Sequence, residues 1–423
     1  MPETSSLVSR PAADRCPGAL RLVEAADGFL ARVRLPGGFV SAGQLRALAR
    51  LADRLGDGRA ELTSRGNVQL RGLASGAATT LTSELAEAGL LPSLAHDRVR
   101  NVIASPLAGL DRGADLTELV RALDSALCAR PRLAQLSGRF LFAVDDGRGD
   151  VAGLGADVTA IVRPDEAVHS RAVHSGGVVN GGVVNGLSAD SVVAAMLAFA
   201  EAFLDLRAEA GSTAWRITDL PDGGDRVRAA VAVRLGLAAA GTGPTAAGAR
   251  PAGAAAGPGP AAVPVRRPVG LVGLEAARDG AESAAPVRAD VYDSAVLLAP
   301  LGRLTAAQLT WIADRLAGPD ARVTPWRSVV LPRLPDGAAV LREAAGLGFG
   351  TDDGSPWLRV TACAGRPGCA SALADVQADA EGFAARWPGR LVHVSGCARH
   401  CGRPPAAEID VTATSEGYQV AGV

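Results

Sequence analysis

Lysine is absent: every one of the 43 basic residues in this 423-residue chain is arginine. Arginine stays protonated near neutrality, whereas a desolvated lysine can give up a proton, so none of these 43 side chains can serve as a general acid. The commonest cause of such a bias is codon usage, since Ala, Gly and Arg are all abundant. An excess of charge of either sign is also lacking. The formal net charge is −1, so no global basic field draws in nucleic acid. Long apolar runs are missing too: the longest, Val192 to Ala200, is far too short to span a bilayer. The first residues, MPETSSLVSRPAADRCPG, hold no apolar segment of the kind that opens a secretory signal, and the expectation is a cytoplasmic protein without membrane partners. Reduced thiols able to ligate metal are at home there. No nicotinamide or flavin fingerprint occurs, so any redox chemistry in this chain would draw on an external donor, NADH-linked or ferredoxin-like.

Cysteine is scarce, with six in all, but its distribution is uneven. Cys363, Cys369, Cys397 and Cys401 form a Cys-x5-Cys, x27, Cys-x3-Cys array. Two pairs of soft thiolates suit an iron–sulfur cluster or zinc. Zinc more often takes tighter pairs that pinch a tetrahedron, whereas a cubane with its irons at separate corners tolerates wider spans. Gly365, Gly368, Gly396 and Gly402 beside the thiols would let backbone N–H groups come close to sulfur. Cys16 has no assigned role. Cys128 sits in a helical pattern and is expected in a core.

Length and an apolar fraction of 48% allow two to three globular domains. Residues 28–35 alternate as a strand with Arg32 and Arg34 on one face. A helix follows, opened by a Ser41/Gln44 capping box and closed by Gly56. The stretch 59–72 reads as one further strand that puts Thr63, Arg65, Asn67, Gln69 and Arg71 on a single face. The same unit recurs at 297–334, with a capping box at Thr305/Gln308 and a strand carrying Arg327 and Arg333. Two such units imply related half-domains pairing about a pseudo-two-fold axis. Between them, strands at 98–104 and 139–144 and a helix from about Ser188 to Arg207, capped by Ser188 or Asp190, indicate a mixed α/β region. GGVVNGGVVNG at 176–186 lacks the lysine and spacing of a phosphate loop and reads as a turn or a slipped duplication. Residues 238–264 are nearly all Ala, Gly, Pro and Thr and read as a linker. The segmentation expected is 17–80, a first ferredoxin-like half-domain; 90–236, a first α/β domain; 237–268, the linker; 285–345, a second half-domain; and 350–423, a second α/β domain with the cysteine array.

A sheet face with several arginines is unsuited to packing on an apolar layer and matches a large polycarboxylate, since guanidinium forks pair with carboxylates bidentately. These residues together resemble the nitrite/sulfite reductase family. ARVRLPGG is similar to the family's first arginine strand at Arg34, LTSRGNVQLRG to its tetrapyrrole-contacting strand at Arg65, Asn67 and Gln69, and DRVRNVIASP to its next arginine element at Arg100 and Asn101. The resemblance implies an α+β, duplicated architecture in which two ferredoxin-like half-domains and two α/β domains hold a tetrapyrrole beside a [4Fe-4S] cluster. Cys401 would be the ligand nearest the macrocycle.

One departure stands out. Siroheme reductases of the family carry a Lys-x-Lys pair that delivers protons to bound nitrite or sulfite, and the matching stretch here, SGRFLFAV, has Arg139 and Leu141. The loss of both donors disfavours six-electron reduction of a small oxyanion. The chain also resembles the precorrin-3B synthase branch of aerobic cobalamin synthesis in its shorter length, in CPGALR (Cys16 to Arg21) ahead of DGFLARVR, and in TPWR (Thr324 to Arg327). That resemblance implies that precorrin-3A and molecular oxygen are the substrates, with hydroxylation of the meso carbon between rings A and D and closure of a γ-lactone by the ring A acetate. It implies substrate carboxylates held or oriented by Arg32, Arg34, Arg65, Asn67, Gln69, Arg71, Arg100, Arg139 and Arg327, of which Arg65, Arg100 and Arg139 are the expected catalytic set. A mononuclear non-haem iron is associated with this branch, and His96, Asp97, His393 and His400 are its candidate ligands. A siroheme-dependent nitrite or sulfite reductase and a non-catalytic tetrapyrrole-binding protein are the alternatives.

Overall fold

The computed structural model describes Asp14 and residues 16–111, 113–164, 175–179, 182–187, 189–235, 270–272 and 293–422. The linker expected at 238–264 lies outside them, as does Ser188.

The first half-domain runs β1 (Val23–Ala25), β2 (Gly28–Val33), β3 (Phe39–Val40), α1 (Ala42–Leu55), β4 (Arg59–Leu62), β5 (Val68–Leu73) and α2 (Ala77–Glu87). Then come β6 (Val102–Ala104), α3 (Thr117–Cys128), β7 (Phe142–Asp145), β8 (Val158–Pro164), β9 (Ser175–Val179), β10 (Gly182–Leu187), α4 (Ala189–Glu209) and α5 (Gly223–Arg234). After β11 (Gly270–Val272) the first pattern returns as β12 (Asp293–Leu298), β13 (Arg303–Thr305), α6 (Ala306–Asp314), β14 (Ala321–Val323), β15 (Ser328–Leu334) and α7 (Gly337–Gly346). The last part holds β16 (Val360–Ala362), the single turn α8 (Gly365–Gly368), α9 (Val376–Arg386), β17 (Val392–Ser395), β18 (Ile409–Thr414) and β19 (Gly417–Ala421).

The duplication is legible in the sheet orders. One sheet is β1-β2-β5-β4-β13 and its counterpart is β11-β12-β15-β14-β3. Each half therefore lends its third strand to the edge of the other: Phe39 and Val40 pair with Arg322 and Ala321, and Arg303 to Thr305 pair with Glu61 to Arg59. Both capping boxes form, Ser41 with Gln44 and Thr305 with Gln308, and the two helices they open, α1 and α6, pack on each other. Leu45, Leu48, Leu51, Leu309 and Ile312 enter one apolar core shared by both halves. The remaining two sheets also correspond. β6, β7 and β8 are parallel and followed by an antiparallel β9, and β16, β17 and β18 are parallel and followed by an antiparallel β19.

Several sequence boundaries shift. The single strand expected over 59–72 is a hairpin, because the Thr63 hydroxyl accepts from the Arg65 and Asn67 amides and Thr63 N–H donates to Asn67, closing a turn between β4 and β5. Strands expected at 98–104 and 139–144 contract to β6 and β7, and the Gly/Val/Asn tandem contributes to the β9–β10 hairpin. Asp190 sits inside the first turn of α4.

Candidate functional site

Three guanidiniums converge at the rim of the first sheet. Arg32, on β2, donates to Gln69 Oε1 at 3.0 Å across the β2–β5 pair. Arg34 leaves the strand and turns inward, 2% exposed, where one nitrogen reaches Pro17 O at 3.2 Å and Arg98 O at 3.3 Å while Nε and Nη1 have no partner. Burial, then the neighbouring Arg32, lowers the Arg34 pKa to about 10. Arg65, in the hairpin turn, donates to Gly138 O at 3.2 Å, and burial lowers its pKa as well. Asn67 is interior and holds the turn: its Oδ1 accepts from Leu35 N at 2.9 Å and its Nδ2 donates to Asn101 Oδ1. Gln69 passes the chain of contacts on to Glu61.

Two arginines assigned to substrate from the sequence are engaged internally. Arg71 forms a bidentate pair with Asp27, both contacts 2.9 Å, and donates to Gly368 O at 2.9 Å. Arg100 is buried, bidentate to Asp124 at 2.8 and 2.7 Å and bonded to Leu90 O. Both hold scaffold. The exposed Arg139 guanidinium lies 4.5 Å from the centre of the Trp215 ring.

The second half does not repeat the arginine face. Its turn copies the first atom for atom: Thr324 N donates to Ser328 O, the Thr324 hydroxyl accepts from the Trp326 and Ser328 amides, and Arg327 takes the positive φ of 62° that Gly66 takes at 64°. Trp326 thus occupies the place of Arg65. Val296 and Leu298, which stand in β12 as Arg32 and Arg34 stand relative to β2, are buried apolar residues. The two-fold arginine platform expected from the sequence is one-sided, cationic in one half and apolar in the other. Trp326 packs with Ile103, Leu141, Ala143 and Val151 in a cluster where Leu141 is 4% exposed. The shared T-x-x-x-[N/S] frame of TSRGN and TPWRS was the signal that could have paired Trp326 with Arg65 beforehand.

The four cysteines sit beyond the C-terminal ends of the parallel strands β16 and β17. Cys363 donates its amide to Val394 O at 3.0 Å, and its sulfur accepts from Gly396 N at 3.2 Å. A Cβ on Gly396 would lie 2.7 Å from Ala372 Cβ, and one on Gly365 would lie 2.7 Å from the Val376 side chain, so glycine at both lets the two cysteine loops close on each other. Arg399 reaches the Cys369 sulfur at 3.7 Å, and its amide and side chain hold the Cys397 thiol below its usual range. No disulfide links any of the four. Among the described residues no three thiols lie within 4.8 Å of one another. A tetrahedral zinc site with 2.3 Å bonds would set its sulfurs about 3.8 Å apart. The wider array, with N–H groups aimed at sulfur, fits a multi-iron cluster better than a single zinc.

Among the described residues the histidine candidates do not gather into a metal-type group of three. Both ring nitrogens of His96 are bonded, to Ser93 Oγ and Arg130 O, and Asp97 accepts from the Ala19 and Leu20 amides. His393 is fully buried on β17, with Nδ1 bonded to Thr361 Oγ1 at 2.9 Å, while His400 lies 3.5 Å from Ser395 Oγ. Among the described residues the one metal-type gathering is Asp145, Asp146 and Asp150. Arg148 and the amides of residues 147, 149, 151 and 152 already answer these carboxylates.

Sheet orders, reciprocal strands and a cysteine array at the strand ends define an α+β protein of sulfite-reductase-like architecture. Residues 23–88 match the nitrite/sulfite reductase ferredoxin-like half domain. Over 420 residues the chain is 28% identical to a precorrin-3B synthase of Sinorhizobium sp, covering 95% of this chain and 81% of that one. Over 431 residues it is 26% identical to the ferredoxin–nitrite reductase of Synechococcus elongatus, covering 93% and 78%. The solved structure of the Mycobacterium tuberculosis NirA protein superposes with a TM-score of 0.65 at 23% identity, over 93% of this chain and 74% of that one. Over most of its length the chain is thus similar to a precorrin-3B synthase and to a nitrite reductase, relatives that are oxidoreductase-type enzymes, and residues 23–88 carry the half domain such reductases share. No described helix is long and apolar enough to cross a membrane.

Proposed function

We propose that the chain acts as a precorrin-3B synthase, using molecular oxygen to hydroxylate precorrin-3A and form its γ-lactone. One oxygen atom enters the macrocycle, the other leaves as water, and an external NADH-linked or ferredoxin-like reductant supplies the electron pair. Leu141 carries this reading. A reductase of small oxyanions needs ionisable donors at the reacting face, and here Leu141 is packed into an apolar cluster with Trp326 while Arg139 lies over an indole. Neither can deliver a proton.

Cys363, Cys369, Cys397 and Cys401 would hold a [4Fe-4S] cluster, which supplies single electrons when bound. Arg32, Arg34 and Arg65 bind substrate carboxylates, Arg34 with its two unpartnered nitrogens. Asn67 and Gln69 fix the turn and the Arg32 fork. Arg139 orients the substrate from the outer side, and Arg327 holds the second-half turn that presents Trp326. That indole and its apolar neighbours exclude water from one side of the macrocycle. Arg71 and Arg100 brace this arrangement from behind. The similarity to a nitrite reductase over most of the chain favours a siroheme reductase as the second reading. The purified protein's absorption spectrum, with iron and sulfide counts, separates the two. A broad cluster shoulder with oxygen-dependent conversion of precorrin-3A supports the synthase; intense siroheme bands with sulfite or nitrite turnover overturn it.

A further inference from the structure

Cys16 takes no part in the site as described, yet its sulfur lies among the arginines. Its thiol donates to Gly138 O at 3.4 Å, and the Arg32 and Arg34 guanidiniums each reach the sulfur at 3.9 Å. Arg65 shares the same carbonyl. The segment that carries it is pinned: Asp14 accepts from Arg98 and from the Gly138 amide, and the Cys16 amide donates back to Asp14. The cysteine is half-buried, so small solutes can reach it. Beside it Arg34, almost wholly enclosed, keeps Nε and Nη1 without any acceptor. Two guanidiniums that already donate toward one sulfur, Arg32 through Nη1 and Arg34 through Nη2, would also hold an anionic oxygen carried on it.

We propose that Cys16 is a redox-modification site, at which hydrogen peroxide converts the thiol to a sulfenate cradled by Arg32 and Arg34. The sulfur attacks one peroxide oxygen, the O–O bond breaks, and hydroxide leaves and takes up the thiol proton as water; the sulfenic acid so formed gives its own proton to solvent to become the sulfenate. Sulfur is oxidised by two electrons and peroxide is reduced. Partly exposed, electropositive surroundings are those in which cysteine oxidation is selective. Cys128 is the internal comparison, since burial and Asp124 push its thiol pKa up.

The test uses the full-length, cluster-loaded protein under dilute hydrogen peroxide, with a cyclic 1,3-diketone as sulfenate trap and site-resolved mass spectrometry. Adduct at Cys16 should form about tenfold faster than at Cys128. Equal or slower trapping at Cys16 overturns the proposal. In Arg32→Gln the Cys16 rate should fall severalfold with Cys128 unaffected, and an unchanged Cys16 rate removes the guanidinium cradle.

Discussion

Arg65, in the hairpin turn, and Arg71, on β5, belong to one hairpin, and their environments give them opposite work. Arg65 points to the rim and bonds one carbonyl, so Arg65→Ala should weaken carboxylate-ligand binding by about 1.5–3 kcal/mol while iron and sulfide content stays intact. Calorimetric titration with precorrin-3A checks this, and unchanged affinity would mean that the face is only solvated. Arg71 is paired with Asp27 and tethers the Cys363–Cys369 loop through Gly368. Removing one partner of such an enclosed pair costs roughly 3 kcal/mol, so Arg71→Ala should lower the unfolding midpoint and the iron retained per chain together. Asp150 adds a pH signature. Burial and the charges of Asp145 and Asp146 raise it from 3.8 to about 6, against the Ser105 hydrogen bond and Arg148. The native state thus binds this proton more tightly than the unfolded chain. Its stabilising share is full below the unfolded value and is lost as pH rises through about 6. Urea midpoints of wild type should fall across that window relative to Asp150→Asn; parallel profiles would refute it. That Arg71 and Arg100 face inward was hidden in the sequence, because their partners Asp27, Gly368 and Asp124 are recognisable only once the chain is folded.

Elements whose signals are local were legible. Both capping boxes, Gly56 at the end of α1 and the long α4 follow from spacing alone, because their chemistry is completed within a few residues. The β4–β5 hairpin was not, since polar alternation runs straight through the turn and a threonine hydroxyl, with no Asn-Gly or Pro, closes it. The one-sided platform escaped for a related reason. Trp326 and Arg65 are unlike in chemistry and alike only in the backbone that carries them. Gly38 shows how tightly the halves meet: at φ 76°, a Cβ there would lie 2.0 Å from Val323 O on β14. Gly38→Ala should destabilise by about 2–3 kcal/mol, read from denaturant midpoints; a change under about 0.5 kcal/mol would show that the crossing loop can yield.

At the scale of the molecule, composition and the repeated strand–helix–strand unit pointed to a duplicated α+β fold, and the sheet orders bear this out. The exchange of β3 and β13 could not be read beforehand, as strands of two and three residues carry no periodicity. Because each sheet is finished by a strand from the other half and the core is common, neither copy has a complete edge alone. A protease cut placed between residues 236 and 269 would therefore leave two polypeptides that behave as a tight heterodimer, co-eluting until denaturant unzips both borrowed strands at once. The fused chain is, in this sense, a strand-swapped dimer written as a single gene product.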